Sequence, residues 1–429
     1  MADQVLQGGQ GCPECQAASG LERRRFLGLA VAAGVTTWAG VTGTVFREVA
    51  LAAGGSADNV LIVVSLRGGA DGLSLIVPHG DPGYLQARPR IAIPANRLVA
   101  SNAMFGLHPK MAPLAPMWNQ GTFGAVHAVG LPHPNRSHFS AMEEIEDADP
   151  GSSERRGWLN RMIGLDHDRR PQQAVQMGAS LVPTSLYGPQ PVLATTRLKD
   201  LQMPGPSDPE GHRRTVRARH QLWDDKHGAL GRGARSAMKV VDSLARLAGS
   251  TAPPHNGAKY PDGDFGRSLA QTATMLRADV GAEVVTIDYG NWDMHVGLGT
   301  MEWGAMLNTV DEFAHGMAAF FKDLGGLASK VTVVTLSEFG RRVEENGDYG
   351  LDHGYGNVML MFGAGVAGGK VHGSWPGLSA GKLIDGDLAV THDYRSVLSE
   401  VLKARFPALN LSRVFPNFKP EHIGSMKSS

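Results

Sequence analysis

Glu283-Val284-Val285-Thr286-Ile287-Asp288-Tyr289, then Gly290, then Asn291-Trp292-Asp293-Met294-His295, joins an apolar run to a cluster of polar side chains. The first seven residues are rich in β-branched side chains and read as a buried strand. Just past its end come a carboxylate, one spacer and an imidazole, which can turn toward one point. In open α/β sheets ligands gather outside the carboxyl ends of strands. An Asp and a His placed there can bind a divalent metal.

The same pattern recurs along the chain. Asn59 to Leu66 reads as a first strand and runs into Arg67-Gly68-Gly69-Ala70-Asp71-Gly72-Leu73-Ser74. Glycines before an Asp present a carboxylate at a sheet edge, although an Asp-Gly turn accounts for the stretch equally well. The glycine spacing is wrong for a dinucleotide fingerprint. Thr122 to Val129 is another strand, followed by a two-proline loop and Arg136-Ser137-His138-Phe139, a helix start with Ser137 as N-cap. A hydroxyl beside an arginine at a helix N-terminus is also where phosphate or sulfate binds. Lys330 to Leu336 is a strand ending in Ser337-Glu338-Phe339-Gly340-Arg341-Arg342. Leu351-Asp352-His353-Gly354, a strand from Val358 to Phe362, and Gly369-Lys370-Val371-His372-Gly373 complete the series.

Helices fall between these strands. Met111, Leu114 and Met117 mark one, residues 157–164 a second, 213–247 a long third and 265–278 a fourth. Val310, Phe313, Met317, Phe320, Phe321 and Leu324 line one face of a fifth, and Tyr394 to Phe406 reads as a closing helix. Residues 171–209 read as short strands and loops. The alternation predicts a mostly parallel sheet with helices on both faces.

Composition narrows the function. The 429 residues carry 41 basic and 41 acidic side chains, without the basic excess a nucleic-acid surface needs. Arg23-Arg24-Arg25-Phe26-Leu27 matches the twin-arginine export pattern, with a mildly apolar run to about Val45 and a small-x-small cleavage site at Ala50-Leu51-Ala52. Residues 1–53 are therefore expected to be a signal segment and 58–429 one domain, periplasmic or extracellular, with the twin-arginine translocase as partner during export. No stable transmembrane span is expected after cleavage. Cys12 and Cys15 precede the arginines and leave with the signal, so the mature protein is expected to have no thiol chemistry.

Several connections thus offer metal-type ligands: Asp71, Asp293 with His295, Glu338 or Asp352 with His353, and His372. Mixed imidazole and carboxylate suits one or two divalent ions, zinc, manganese or calcium. Ser137 with Arg67, Arg136 and Arg341 suits a tetrahedral anion. His138 reads as a general acid or as a partner that orients a ligand, and Trp292 equally as core or as a wall of the site. Together these parts describe a two-metal ester hydrolase whose nucleophile is Ser137 or a metal-bound water.

The segments Arg67 to Leu73, Leu107-His108-Pro109, Ser137-His138-Phe139, Asp293-Met294-His295, Ser337 to Arg341 and Asp352-His353-Gly354 resemble the twin-arginine-exported domain-of-unknown-function 1501 family. That family is placed in the alkaline-phosphatase and sulfatase superfamily. The resemblance implies an alkaline-phosphatase-like three-layer α/β sandwich and a bimetal site. In chain order it implies Asp71, the nucleophile Ser137, Asp293 with His295, Asp352-His353, and His372. Three departures stand out. The Asp-His pair is spaced by one residue where the superfamily usually has three. Ser337-Glu338-Phe339-Gly340 stands where Asp-His-Gly is usual, which would make Glu338 the carboxylate and His353 the late ligand. The sulfatase Cys/Ser-x-Pro-x-Arg signature is absent. The implied function is hydrolysis of small-molecule or polysaccharide phosphate or sulfate esters. The alternative is a non-catalytic protein binding an anion, glycan or partner on the same scaffold.

Overall fold

Strand β1, Val60–Leu66, shows why the sheet is covered on both sides. All seven residues are buried, but Val60, Ile62, Val64 and Leu66 join one apolar cluster while Leu61 and Val63 join another. Successive side chains of a strand point to opposite faces, so a continuous apolar run demands two covering layers. Helices Asp264–Arg277 and Ala305–Leu324 supply one layer, through Phe265, Leu269, Val310 and Phe313. Helices His138–Asp147 and Tyr394–Arg405 supply the other, through Ile145, Val397 and Leu398.

The computed structural model describes residues 57–165, 171–201, 205–226, 228–248 and 253–428. The expected signal segment 1–53, with Cys12 and Cys15, lies outside the described residues, as do His167 and His227. In chain order the remaining strands are β2 Ile76–Val77, β3 Gly106–Leu107, β4 Phe123–Gly130, β5 Ala174–Met177, β6 Leu193–Thr195, β7 Val284–Tyr289, β8 Val331–Leu336, β9 Asn357–Gly363, β10 Val371–His372 and β11 His392–Asp393. β2 and β3 form a small antiparallel pair. The others make a nine-stranded sheet in the order β10-β4-β9-β8-β1-β7-β5-β6, with β11 also on β4. Within it β9 runs antiparallel to both neighbours, and every other pairing is parallel. The fold is mixed α/β around a large, mostly parallel sheet, as expected.

Direction and register then collect the loops. Leu66 pairs with Tyr289 and Ser65 with Leu336, so β7, β1 and β8 end at one level. Because β9 runs the other way, the segment before it, residues 351–356, starts from that same edge. β4 on its far side delivers the loop leading to Ser137.

Two helical expectations are revised. Pro113 inside the 109–117 stretch cannot donate a helical hydrogen bond, and the chain forms the 3-10 turn Pro109–Leu114 and a short helix Ala115–Asn119. The long basic region splits into helices Pro209–Trp223 and Ala229–Ala248. No helix among the described residues is long and apolar enough to cross a membrane.

Candidate metal centre

The Asp-x-His spacing works because the chain leaves β7 extended. Trp292 and Met294 go into the core, so Asp293 and His295, two residues apart, share the opposite side. Trp292 is therefore core. The loop after β1 packs hard against this turn. Gly68 has φ +113°, and a Cβ there would lie 2.5 Å from the Asp293 backbone nitrogen. Arg341 binds the loops together from beneath. Its guanidinium donates to the carbonyls of Gly68, Gly69 (2.6 Å), Leu351 (3.0 Å) and Trp292 (3.3 Å), and to Asp293 Oδ1 (2.6 Å).

Three imidazoles converge on that same oxygen. His295 Nε2 lies 3.1 Å, His138 Nε2 3.5 Å and His353 Nε2 3.6 Å from Asp293 Oδ1. His295 Nε2 and His353 Nε2 are 2.9 Å apart. The ligand atoms of His138, Asp293 and His353 all fall within 4.8 Å of one another. Each ring is fixed at its other nitrogen. His138 Nδ1 meets Glu338 Oε1 at 2.8 Å, His295 Nδ1 meets Asp352 Oδ1 at 2.7 Å, and His353 Nδ1 meets the Arg136 carbonyl at 2.8 Å. Imidazoles oriented from behind by carboxylates or carbonyls are what metal sites use. His138 Nε2 is buried and makes no hydrogen bond. Phe339 packs against the rings of His138 and His353, centroids 4.8 Å away in both cases.

The carboxylates and imidazoles of the cluster shift one another's titration. Burial opposes the charging of His138, yet Asp293 and Glu338 push it up to about 9. Asp293 raises His295 too, with Asp352 adding to it. Burial works against ionised Asp293, but the three histidines and Arg341 hold its carboxyl well below the usual range. Glu338 is likewise lowered against its burial, by His138 and by backbone N–H groups including Gly68. A divalent ion takes the place of titrating protons when it binds.

A family model described as "Protein of unknown function (DUF1501)" matches residues 58–394. The chain belongs to this family. No curated protein matches the sequence. Among solved structures, the C-terminal periplasmic domain of EcEptC from Escherichia coli, in complex with Zn, matches at 8% identity and TM-score 0.33, covering 74% of this chain and 77% of that one. A protein in the alkaline phosphatase superfamily from Vibrio parahaemolyticus matches at 9% identity and TM-score 0.27, covering 76% and 67%. BT1596, a 2-O GAG sulfatase, matches at 10% identity and TM-score 0.28, covering 72% and 64%.

In this DUF1501 protein the other expected site residues are placed as follows. Glu338 and Asp352, expected as metal carboxylates, each stand one side chain back, behind His138 and His295. Asp71 is buried, with its oxygens 2.5 and 2.9 Å from Arg88. Burial alone would raise its carboxyl, but Arg88 more than offsets this and lowers it. His372 sits on β10 at the sheet margin, across β4 and β9 from β8, with Nε2 on the Ala367 carbonyl at 2.7 Å. Arg341, expected to face an anion, is buried and its donors go to the loop carbonyls and Asp293. Arg67 pairs with Glu146 (2.7 Å) and Asp288 (2.9 Å). Arg136 donates to Asp387 from Nε at 3.1 Å and also from Nη2. Ser137 precedes helix His138–Asp147 and is exposed, but its side chain makes no cap bond. With Arg136, Glu144, Asp149 and Arg395 it lines a groove of about 1090 Å³. His138, read from sequence as acid or orienting partner, stands instead among the potential ligands. Its place at the start of a helix after β4 gave no ligand signal, because its companions lie some 150 residues or more away along the chain.

Proposed function

We propose that this protein is an exported, metal-dependent hydrolase of phosphate or sulfate esters, with residues 1–53 as a twin-arginine signal and 58–429 as one catalytic domain. The observation that carries the reading is the convergence of His138, His353 and His295 on Asp293 at the carboxyl edge of the sheet. A divalent ion bound there supplies Lewis acidity for an ester oxygen. His138, Asp293 and His353 hold it, and Arg341 keeps Asp293 in place. Ser137, exposed and next in sequence to His138, is the proposed nucleophile, at a helix N-terminus that favours the anionic group of the substrate. The adjoining groove has room for a small molecule or a polysaccharide segment. A family match that begins at residue 58 supports treating the first 53 residues separately.

One observation favours a second reading. Arg88 already neutralises Asp71, so the early carboxylate of a two-metal site is taken. This suits a protein that binds an anion, glycan or partner through a single ion without turning it over.

The test is elemental analysis of exported protein purified without chelator, beside Asp293→Ala and His353→Ala, followed by phosphate- and sulfate-ester screens. Metal lost in both variants together with metal-dependent ester cleavage supports the hydrolase. Metal without cleavage of any ester moves the conclusion to the binding reading. Metal-free wild-type protein with both variants normally folded overturns both.

A further inference from the structure

We infer that the centre is mononuclear, that His295 joins His138, His353 and Asp293 as a ligand, and that Glu338, Asp352 and the Arg136 carbonyl aim the three imidazoles at one zinc-class ion. The inference rests on the metal site of the proposed function and goes further by fixing its ligand number, ion count and ion class.

The hydrogen bonds behind the rings come first. Carbonyls and carboxylates only accept, so each Nδ1 donates, and each ring that gives up its second proton presents an Nε2 lone pair. For His295 and His353 those lone pairs face each other at 2.9 Å. Two acceptors at that separation repel unless a shared proton or a metal ion lies between them, and a metal ion fills the role for all three rings at once. The buried Nε2 of His138 has no hydrogen-bond partner and faces the same oxygen.

Four ligand-atom separations, three to Asp293 and one between His295 and His353, agree with a shared ion. Metal–ligand bonds of about 2.1 Å put ligand atoms roughly 3.0 Å apart at a right angle and roughly 3.6 Å apart at 120°. His295 lies 2.9 Å from His353 and 3.1 Å from Asp293, near the first value. His138 and His353 lie 3.5 and 3.6 Å from Asp293, near the second. Right-angled pairs belong to more than four positions, so four protein ligands still leave one for a substrate oxygen.

Donor chemistry sets the class of ion. Three imidazoles and one carboxylate suit zinc, cobalt, nickel or copper, whereas calcium and magnesium prefer all-oxygen sets. The group of His138, Asp293 and His353 found among the described residues belongs to this same centre.

The experiment uses chelator-treated full-length protein titrated calorimetrically with Zn2+, Co2+ and Ca2+, and X-ray absorption of the zinc-loaded form. One Zn2+ or Co2+ per chain, three imidazoles on zinc, and negligible Ca2+ binding are expected. His295→Ala should reduce the imidazole count to two. Glu338→Gln and Asp352→Asn should weaken Zn2+ about 10- to 100-fold, the usual cost of losing an orienting partner. Circular dichroism and the thermal midpoint of each metal-free variant separate this effect from misfolding. Two ions per chain, preference for Ca2+, or an unchanged absorption spectrum in a folded His295→Ala would overturn the inference. A three-imidazole centre without ester cleavage retires the hydrolase and leaves the inference standing. Ester cleavage retained by His295→Ala with an unchanged zinc spectrum retires the inference alone.

Discussion

Replacing Arg88 by leucine tests whether Asp71 is a structural anion or a metal ligand. Arg88 is fully buried. It gives two bonds to Asp71, and others to the Ser74 hydroxyl (3.3 Å), the Arg342 carbonyl (3.0 Å) and the Val343 carbonyl (2.9 Å). Arg88→Leu strands a buried carboxylate, and breaking one side of a buried pair typically costs about 3–5 kcal/mol. At roughly 2–4 °C per kcal/mol for a larger domain, the thermal midpoint should fall by about 10 °C. The double variant Arg88→Leu with Asp71→Leu should recover much of that loss, because it strands no charge. Since folding lowers the Asp71 carboxyl, its contribution is present above the unfolded value of about 3.9 and is lost as pH falls through the folded value. In Arg88→Leu burial is left to raise the same carboxyl, so the deficit against wild type should be largest near neutral pH and shrink as acid protonates Asp71. Calorimetry, acid titration followed by circular dichroism, and zinc content form the assay. Arg88→Leu within about 1 kcal/mol of wild type, far below the expected cost, would show that Asp71 does not depend on Arg88. A folded Asp71→Asn that had lost its zinc would show that Asp71 is a metal ligand.

Three further outcomes are expected. Gly68→Ala should destabilise the protein by more than about 1 kcal/mol and strip the metal, since the new Cβ meets the Asp293 backbone at a φ that L-residues avoid; thermal midpoint and zinc content measure both. Arg341→Met should weaken Zn2+ at least about tenfold, because it frees Asp293 and leaves buried carbonyls unpaired; zinc titration with circular dichroism checks it. Glu400 accepts from the backbone N–H groups of Ile423, Gly424 and Ser425 at 2.7, 2.9 and 2.7 Å. Burial would raise its carboxyl, but Ser425 and these amides lower it. The latch is therefore present above about pH 4.3 and lost as pH falls through the lower folded value, and Glu400→Gln should speed hydrogen exchange at residues 423–425 at neutral pH.

What the sequence determined by itself was local. Runs such as Val60–Leu66, Val284–Tyr289 and Val331–Leu336 carry their burial on both faces in their composition, so strands and covering helices were legible. Asp293 and His295 were legible as a pair because two extended residues of equal parity must share a side. Tertiary structure decided which partners they meet. The antiparallel direction of β9 brings His353 to the site from the segment before the strand, and no periodicity records strand direction. The pairing of β4 with β9 sends His138 to the same point, turning a residue read as acid or helper into a potential ligand. Glu338 and Asp352 carry metal-type side chains at metal-type positions, yet lie behind imidazoles, a difference of a few ångströms that spacing along a chain cannot encode. Asp71 was equally readable as ligand or turn. Arg88, seventeen residues on in a loop, takes its charge, because a buried carboxylate must be paired and sequence alone does not say with what.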